Sequence, residues 1–173
     1  MIELELEKTY LARRLPEGLE KCQHREVFDT YYPPSAAHPV LRLRKNGDRY
    51  EMTKKEPDQS GDASIQTEHT IRLTKEEFDS LAKTAGKKVR KIRYDYPYKE
   101  ANAEVAVFQD GLKGLVLVDV EFKSVRDMKA FGMPDFCLAD VTDDETFAGG
   151  MLCGKSYQDI SDHLNELGYQ PPK

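Results

Sequence analysis

The chain is 173 residues long, 39% hydrophobic and 33% charged, which suits one folded domain over residues 1–173 with a core of its own. A net charge of -5 argues against a nucleic-acid partner, which asks for a basic surface, and no run of about 18 apolar residues marks a membrane span. Cys22, Cys137 and Cys153 have no zinc spacing and make no even disulfide set; with no signal peptide in view, they point to a reducing cytoplasm.

The first eleven residues read M-I-E-L-E-L-E-K-T-Y-L, with Ile2, Leu4 and Leu6 alternating against Glu3, Glu5 and Glu7. A period of two predicts a β-strand, aliphatic on one face and carboxylate on the other. Like charges along one face repel, so that face needs water or a cation bound through hard oxygens. Residues 16–23 read as a short helix entered at Pro16. Residues 25–32, aromatic and β-branched, predict a strand, and 33–39 a turn. Strand 40–45 alternates Leu41 and Leu43 against Arg42 and Arg44. Asn46-Gly47-Asp48 is a hairpin turn, and 49–55 returns with Lys55 on the face of Arg49, Glu51 and Thr53.

A polar loop follows at 56–63, then strand 64–73 with Gln66, Glu68 and Thr70 on one face. Thr74 and Glu77 form a capping box for a helix to about residue 85. Strand 88–98 places Lys91 and Arg93 together, strand 103–109 follows, and the turn at Asp110-Gly111 leads to strand 114–122, where Asp119 and Glu121 share a face. The tail changes character. A short helix is expected at 124–131, a second capping box at 142–145 opens another, Gly149-Gly150 breaks it, and Ser156 caps a last helix through Leu167. The strands number about eight, joined mostly by short turns, so the sheet is expected to be antiparallel.

Collected, the polar faces carry Glu5, Glu7, Arg42, Arg44, Lys55, Glu68, Lys91, Arg93, Glu104, Asp119 and Glu121. A solvated sheet face has this pattern, and so does the inside of a closed barrel whose aliphatic outer faces are covered by helices. Inside a barrel such ions must be paired, hydrated or liganded, because an unpaired buried ion costs several kcal/mol. Arginine forks match phosphate oxygens, while carboxylates hold Mg2+ or Mn2+, which bridge to phosphate. The mixture points to a metal–polyphosphate complex.

The order of these motifs resembles the CYTH domain family, the triphosphate tunnel metalloenzymes, from Ile2 to about Tyr157. Glu5-Leu6-Glu7-Lys8-Thr9 looks like its opening E-x-E-x-K, Leu41-Arg42-Leu43-Arg44 like its R-x-R, and Met52-Thr53-Lys54-Lys55 like its L-T-x-K. Lys91-Ile92-Arg93 is similar to its basic pair, Asp119-Val120-Glu121 to its acidic pair, and Val141 to Phe147 to its late V-T-D-D-E-x-F segment. The resemblance implies an α+β fold: an eight-stranded antiparallel β-barrel, or tunnel, with a charged lumen and helices outside. It also implies metal-dependent hydrolysis of a triphosphate, inorganic tripolyphosphate or an organic one such as thiamine triphosphate. Arg42, Arg44, Lys55, Lys91 and Arg93 would hold the phosphates. Glu5, Glu7, Glu68, Asp119 and Glu121 would hold Mg2+ or Mn2+, with Glu5 and Glu7 catalytic.

The sequence departs from the pattern at Thr9, where the family has lysine, and at Ala106, where it often has aspartate; Lys8 falls on the outer face by alternation. A class IV-type adenylyl cyclase making cyclic AMP and pyrophosphate, or a non-catalytic polyphosphate binder, are the other expectations. The partner is a small-molecule triphosphate, with no nucleic acid or membrane, and the chain is expected as monomer or homodimer.

Overall fold

A computed structural model describes residues 2–57 and 64–172; most of the polar loop expected at 56–63 lies outside them. Nine strands are formed: β1 (Ile2–Ala12), β2 (His24–Tyr32), β3 (Leu41–Asn46), β4 (Arg49–Pro57), β5 (Ile65–Leu73), β6 (Lys87–Tyr98), β7 (Ala101–Phe108), β8 (Val116–Glu121) and β9 (Cys137–Asp140) among the described residues. The first eight run antiparallel in the order β5-β4-β3-β2-β6-β7-β8-β1, and β5 pairs back onto β1, closing a barrel. Every pairing expected from a short turn is present, because hairpins of this length leave adjacent strands no other register.

β1 is the seam. Residues from Ile2 to Leu6 pair with β5, and those from Glu7 to Leu11 pair with β8. Past Leu6 the β5 side of β1 has no partner from the barrel, and β9 takes it, pairing with Tyr10, Leu11 and Ala12. The sequence does not signal β9, since four residues are too few to display a period. It forms because β1 offers backbone groups that need partners.

The barrel's apolar packing has two parts. On the outer face, Tyr10, Ala103, Val105, Val118 and Val120 are covered by Leu19, Phe136 and Cys137. The second part includes inward-facing positions. Leu11, Tyr31, Ala106, Phe108 and Leu117 share the alternation of the ionic residues, and they pack with Phe147, Leu152, Ile160 and Leu164 of the C-terminal segment. One end of the barrel is therefore closed by hydrocarbon, and the charged side chains occupy the remainder.

The helices are short: α1 (Lys75–Leu81), α2 (Val125–Ala130), α3 (Gly149–Leu152) and α4 (Tyr157–Glu166). The capping boxes at Thr74/Glu77 and Ser156/Asp159 are both formed. The helix expected at 16–23 is only a 3-10 turn at Leu19–Lys21, because Gly18 adopts φ +77 immediately before it, outside helical space. α1 stops at Leu81 because no side chain in it is buried and Thr84 Oγ1 takes the Leu81 carbonyl. The box expected at 142–145 is not formed: Asp144, not Thr142, caps the following turn by accepting from Thr146 N. Gly149 and Gly150 do not break a helix but begin α3. A Cβ at Gly149 would strike the Tyr31 hydroxyl and one at Gly150 the Pro39 carbonyl, so the pair is there for close approach. Among the described residues no helix is long and apolar enough to cross a membrane.

Candidate active site

Alternation carries the ionic residues of successive strands to the inside of the barrel. Glu5, Glu7 and Thr9 come from β1, Arg25 and Asp29 from β2, Arg42 and Arg44 from β3, and Lys55 from β4. Glu68 comes from β5, Lys91, Arg93 and Asp95 from β6, Glu104 from β7, and Asp119 and Glu121 from β8. Arg42, Arg44 and Arg93 are no more than 9% exposed, which a guanidinium tolerates only with partners.

Three ionic groups result. In the first, Glu68 lies 3.6 Å from Arg42 and 3.7 Å from Lys55, accepts from Thr70 Oγ1 at 2.6 Å, and Lys55 also meets Glu5. In the second, Arg93 contacts Glu104 at 2.7 Å and Asp119 at 3.9 Å. Arg25 reaches the same Glu104 at 2.5 Å and both oxygens of Asp95 at 2.7 Å. In the third, Arg44 Nε and Nη2 donate to the two oxygens of Asp29 at 2.6 and 2.7 Å. Lys91 Nζ stands 5.4 Å from the centroid of the Phe108 ring.

The electrostatics follow from crowding in a poorly solvated space. Burial, then the neighbouring Asp119 and Glu5, pushes the Glu7 carboxyl up to about 7 against the pull of Lys55. Burial also raises Glu5; Lys55 opposes this and Glu68 adds to it. For Glu68 burial is outweighed by Thr70, Lys55 and Arg42, and its carboxyl is held low. Burial, reinforced by Arg93 and Arg44, lowers the Lys91 ammonium to about 7. At Asp29 burial is overcome by Arg44, so the carboxylate is held well below its ordinary range.

Two buried donors remain in the channel wall, and a third, the Tyr10 hydroxyl, lies on the outer face. Arg42 Nε and Arg93 Nε have no hydrogen-bond acceptor among the described residues. Each unsatisfied buried donor costs about 1–3 kcal/mol, a cost that an anionic oxygen brought to each would remove. The carboxylates are less gathered. In register Glu7 faces Glu121 and Thr9 faces Asp119, whereas Glu5 and Glu68 lie with Lys55. No ready cluster of three or more metal-binding side chains exists among the described residues. The donor chemistry nonetheless fits a hard divalent cation. Glu7 is lifted by burial and then by adjacent carboxylates, and a cation against β1 and β8 would relieve that repulsion.

Asp29, Arg25 and Asp95 were not among the candidates read from the sequence. The signal was present, since Arg25, Val27, Asp29 and Tyr31 alternate inward on β2, but the aromatic composition of that strand masked it. Ala106 is fully buried against Leu117 in the apolar end, and Arg93 takes Glu104 instead. Lys8 points outward, 3.9 Å from Asp140 on β9, as alternation requires.

A curated relative, an inorganic triphosphatase of Nitrosomonas europaea, is 33% identical over 151 residues, covering 86% of this chain and 95% of its own. A solved inorganic triphosphatase superposes with a TM-score of 0.63 at 28% identity, covering 87% of this chain and 95% of its own. A Bacillus halodurans protein proposed to be an adenylate cyclase superposes with a TM-score of 0.56 at 15% identity, covering 99% and 94%, a likeness of fold alone. Residues 2–126 match the CYTH domain, so the charged barrel is that family's and the chain belongs to it.

Proposed function

We propose that this chain hydrolyses the terminal phosphoanhydride of inorganic tripolyphosphate inside the barrel, with Mg2+ or Mn2+ as the cation. The observation that carries the reading is the pair of buried, acceptor-free donors, Arg42 Nε and Arg93 Nε, on β3 and β6, the two strands that flank β2 in the channel wall. The Nitrosomonas europaea inorganic triphosphatase supports the substrate class.

Arg42, Lys55, Lys91 and Arg93 hold the phosphate oxygens, and Arg44 adds the one nitrogen its fork leaves outside the Asp29 bond. Glu5, Glu7, Asp119 and Glu121, with Glu68, would hold the cation, which would offset charge on the phosphates. Water attacks the terminal phosphorus, the bridging P–O bond breaks, and orthophosphate and pyrophosphate leave. One oxygen of Glu7 takes the proton of the attacking water while Glu5 keeps Lys55 in place. Catalysis is then mostly positioning and charge stabilisation. The free thiols of Cys22, Cys137 and Cys153 support a reducing cytoplasm as the setting.

The test is a product panel over tripolyphosphate, thiamine triphosphate and ATP, each with Mg2+ and with Mn2+. Orthophosphate from tripolyphosphate, lost in Arg42→Ala and Glu5→Ala, is expected. Cyclic AMP and pyrophosphate from ATP, or tight tripolyphosphate binding without turnover, would overturn the reading.

A further inference from the structure

Thr9 stands on the channel face of β1, two residues beyond Glu7 and directly across the ladder from Asp119. Its hydroxyl donates to Asp119 Oδ1 at 2.9 Å. Its backbone is held from the opposite side of the strand. The Thr9 N–H donates to Thr142 Oγ1 at 3.1 Å, and the Thr142 hydroxyl in turn donates to Asp140 Oδ1 at 2.6 Å. The Val141 N–H donates to the Thr9 carbonyl at 2.9 Å. Residues 140–142 thus fix the strand, the strand fixes the Thr9 hydroxyl, and the hydroxyl fixes one oxygen of Asp119.

The kind of bond matters as much as its presence. A lysine ammonium at this position would orient Asp119 too, but it would also neutralise it. A hydroxyl orients the carboxylate and leaves its full negative charge. The other oxygen, Oδ2, is then free to turn to the channel, where Arg93 is the nearest base at a loose 3.9 Å. Carboxylates that ligate cations depend on such outer hydrogen bonds, and removing one typically weakens binding 10–100-fold.

We infer that Thr9 is a positioning residue for cation binding: it aims Asp119 at the divalent cation without quenching its charge, so threonine here is a working anchor and not a lost lysine. The inference rests on the proposed metal-dependent function and names how this chain's own residues serve it.

The test is Mn2+ binding to the full chain without substrate, followed by calorimetry, for the wild type and for Thr9→Val, Thr9→Ser and Thr9→Lys. Valine keeps the shape and removes the hydroxyl, and it should weaken Mn2+ binding about tenfold. Serine keeps the hydroxyl and should restore affinity to within about twofold of wild type, a rescue that a packing role would not produce. Lysine should bind Mn2+ more weakly than valine, because its ammonium competes for Asp119. Thermal melting of each variant shows that the comparison is between folded proteins. If the wild type binds no Mn2+, the metal-dependent reading falls and this inference with it. If the wild type binds and Thr9→Val binds equally, or Thr9→Lys binds more tightly than wild type, the anchor is refuted while the function stands.

Discussion

Asp29 and Arg44 show how a buried ion in this channel is kept, and what its loss costs. Asp29 is 2% exposed and spends both oxygens on one guanidinium. Changing it to asparagine leaves Arg44 charged and half-satisfied in a site with little water. Breaking a buried pair in this way costs about 3–5 kcal/mol, and Asp29→Asn should lose about 3 because the amide oxygen still accepts one bond. Urea denaturation at pH 7 measures it; a loss below about 0.5 kcal/mol, the scale of a surface pair, would mean the pair is solvated. The sign with pH is fixed by the depressed carboxyl. Its stabilisation is complete above the ordinary value of 3.8 and is lost as pH falls below it. Arg42 and Arg44 were legible because R-x-R on an alternating strand announces a shared face. Asp29 was not, because its meaning comes from the β2–β3 register that sets it opposite Arg44, a distance of 15 residues along the chain.

At the scale of elements, the strands were legible and the helices less so, for one physical reason. A strand here has one face in hydrocarbon and one in an ionic channel, so its sequence must alternate. Only α4, capped at Ser156 as read, is long enough to bury a stripe, Ile160 and Leu164; the others are shorter, and α1 buries nothing at all. Their ends are set by single contacts: Gly18 stops a helix before it starts, and Gly149 lets α3 approach Tyr31. α4 carries a contact that sequence spacing could not reveal. His163 Nε2 lies 2.6 Å from Asp144, which caps the turn before α3. The bond to Asp144 raises the His163 imidazole above its ordinary 6.5. A raised histidine stabilises the fold fully below its unfolded pKa, and that stability is lost as pH climbs through the folded pKa. Stability should therefore decline above pH about 6.5, by no more than about 0.5 kcal/mol since the pair is half-exposed and screened. Melting His163→Gln and wild type from pH 5.5 to 8.5 checks this: the gap between them should close as pH rises, and a constant gap would show that the imidazole charge contributes nothing.

For the whole molecule, the closed barrel converts separate strand faces into one charge balance. Inside it, Glu5, Glu7, Asp29, Glu68, Glu104, Asp119 and Glu121 outnumber Arg42, Arg44, Lys55, Lys91 and Arg93, and Arg25 is itself offset by Asp95. A basic funnel would draw a polyanion in unaided. This channel would not, because Arg42, Arg44, Lys55 and Arg93 each already lie against a carboxylate and the surplus charge is negative. Two unit charges 4 Å apart at an effective dielectric of 20 interact by about 4 kcal/mol, so an unshielded phosphate beside the β1/β8 acids is strongly disfavoured. Cation and polyphosphate should consequently bind as each other's cofactor. Tripolyphosphate affinity measured by calorimetry in EDTA should be more than tenfold weaker than in millimolar Mg2+, a difference of at least about 1.4 kcal/mol. Glu7→Gln, which removes one of the surplus charges, should narrow that gap by strengthening binding in EDTA. Equal affinity in EDTA and Mg2+ would mean that the bases shed their carboxylate partners without help, and that the acids along β1 and β8 take no part in admitting the ligand.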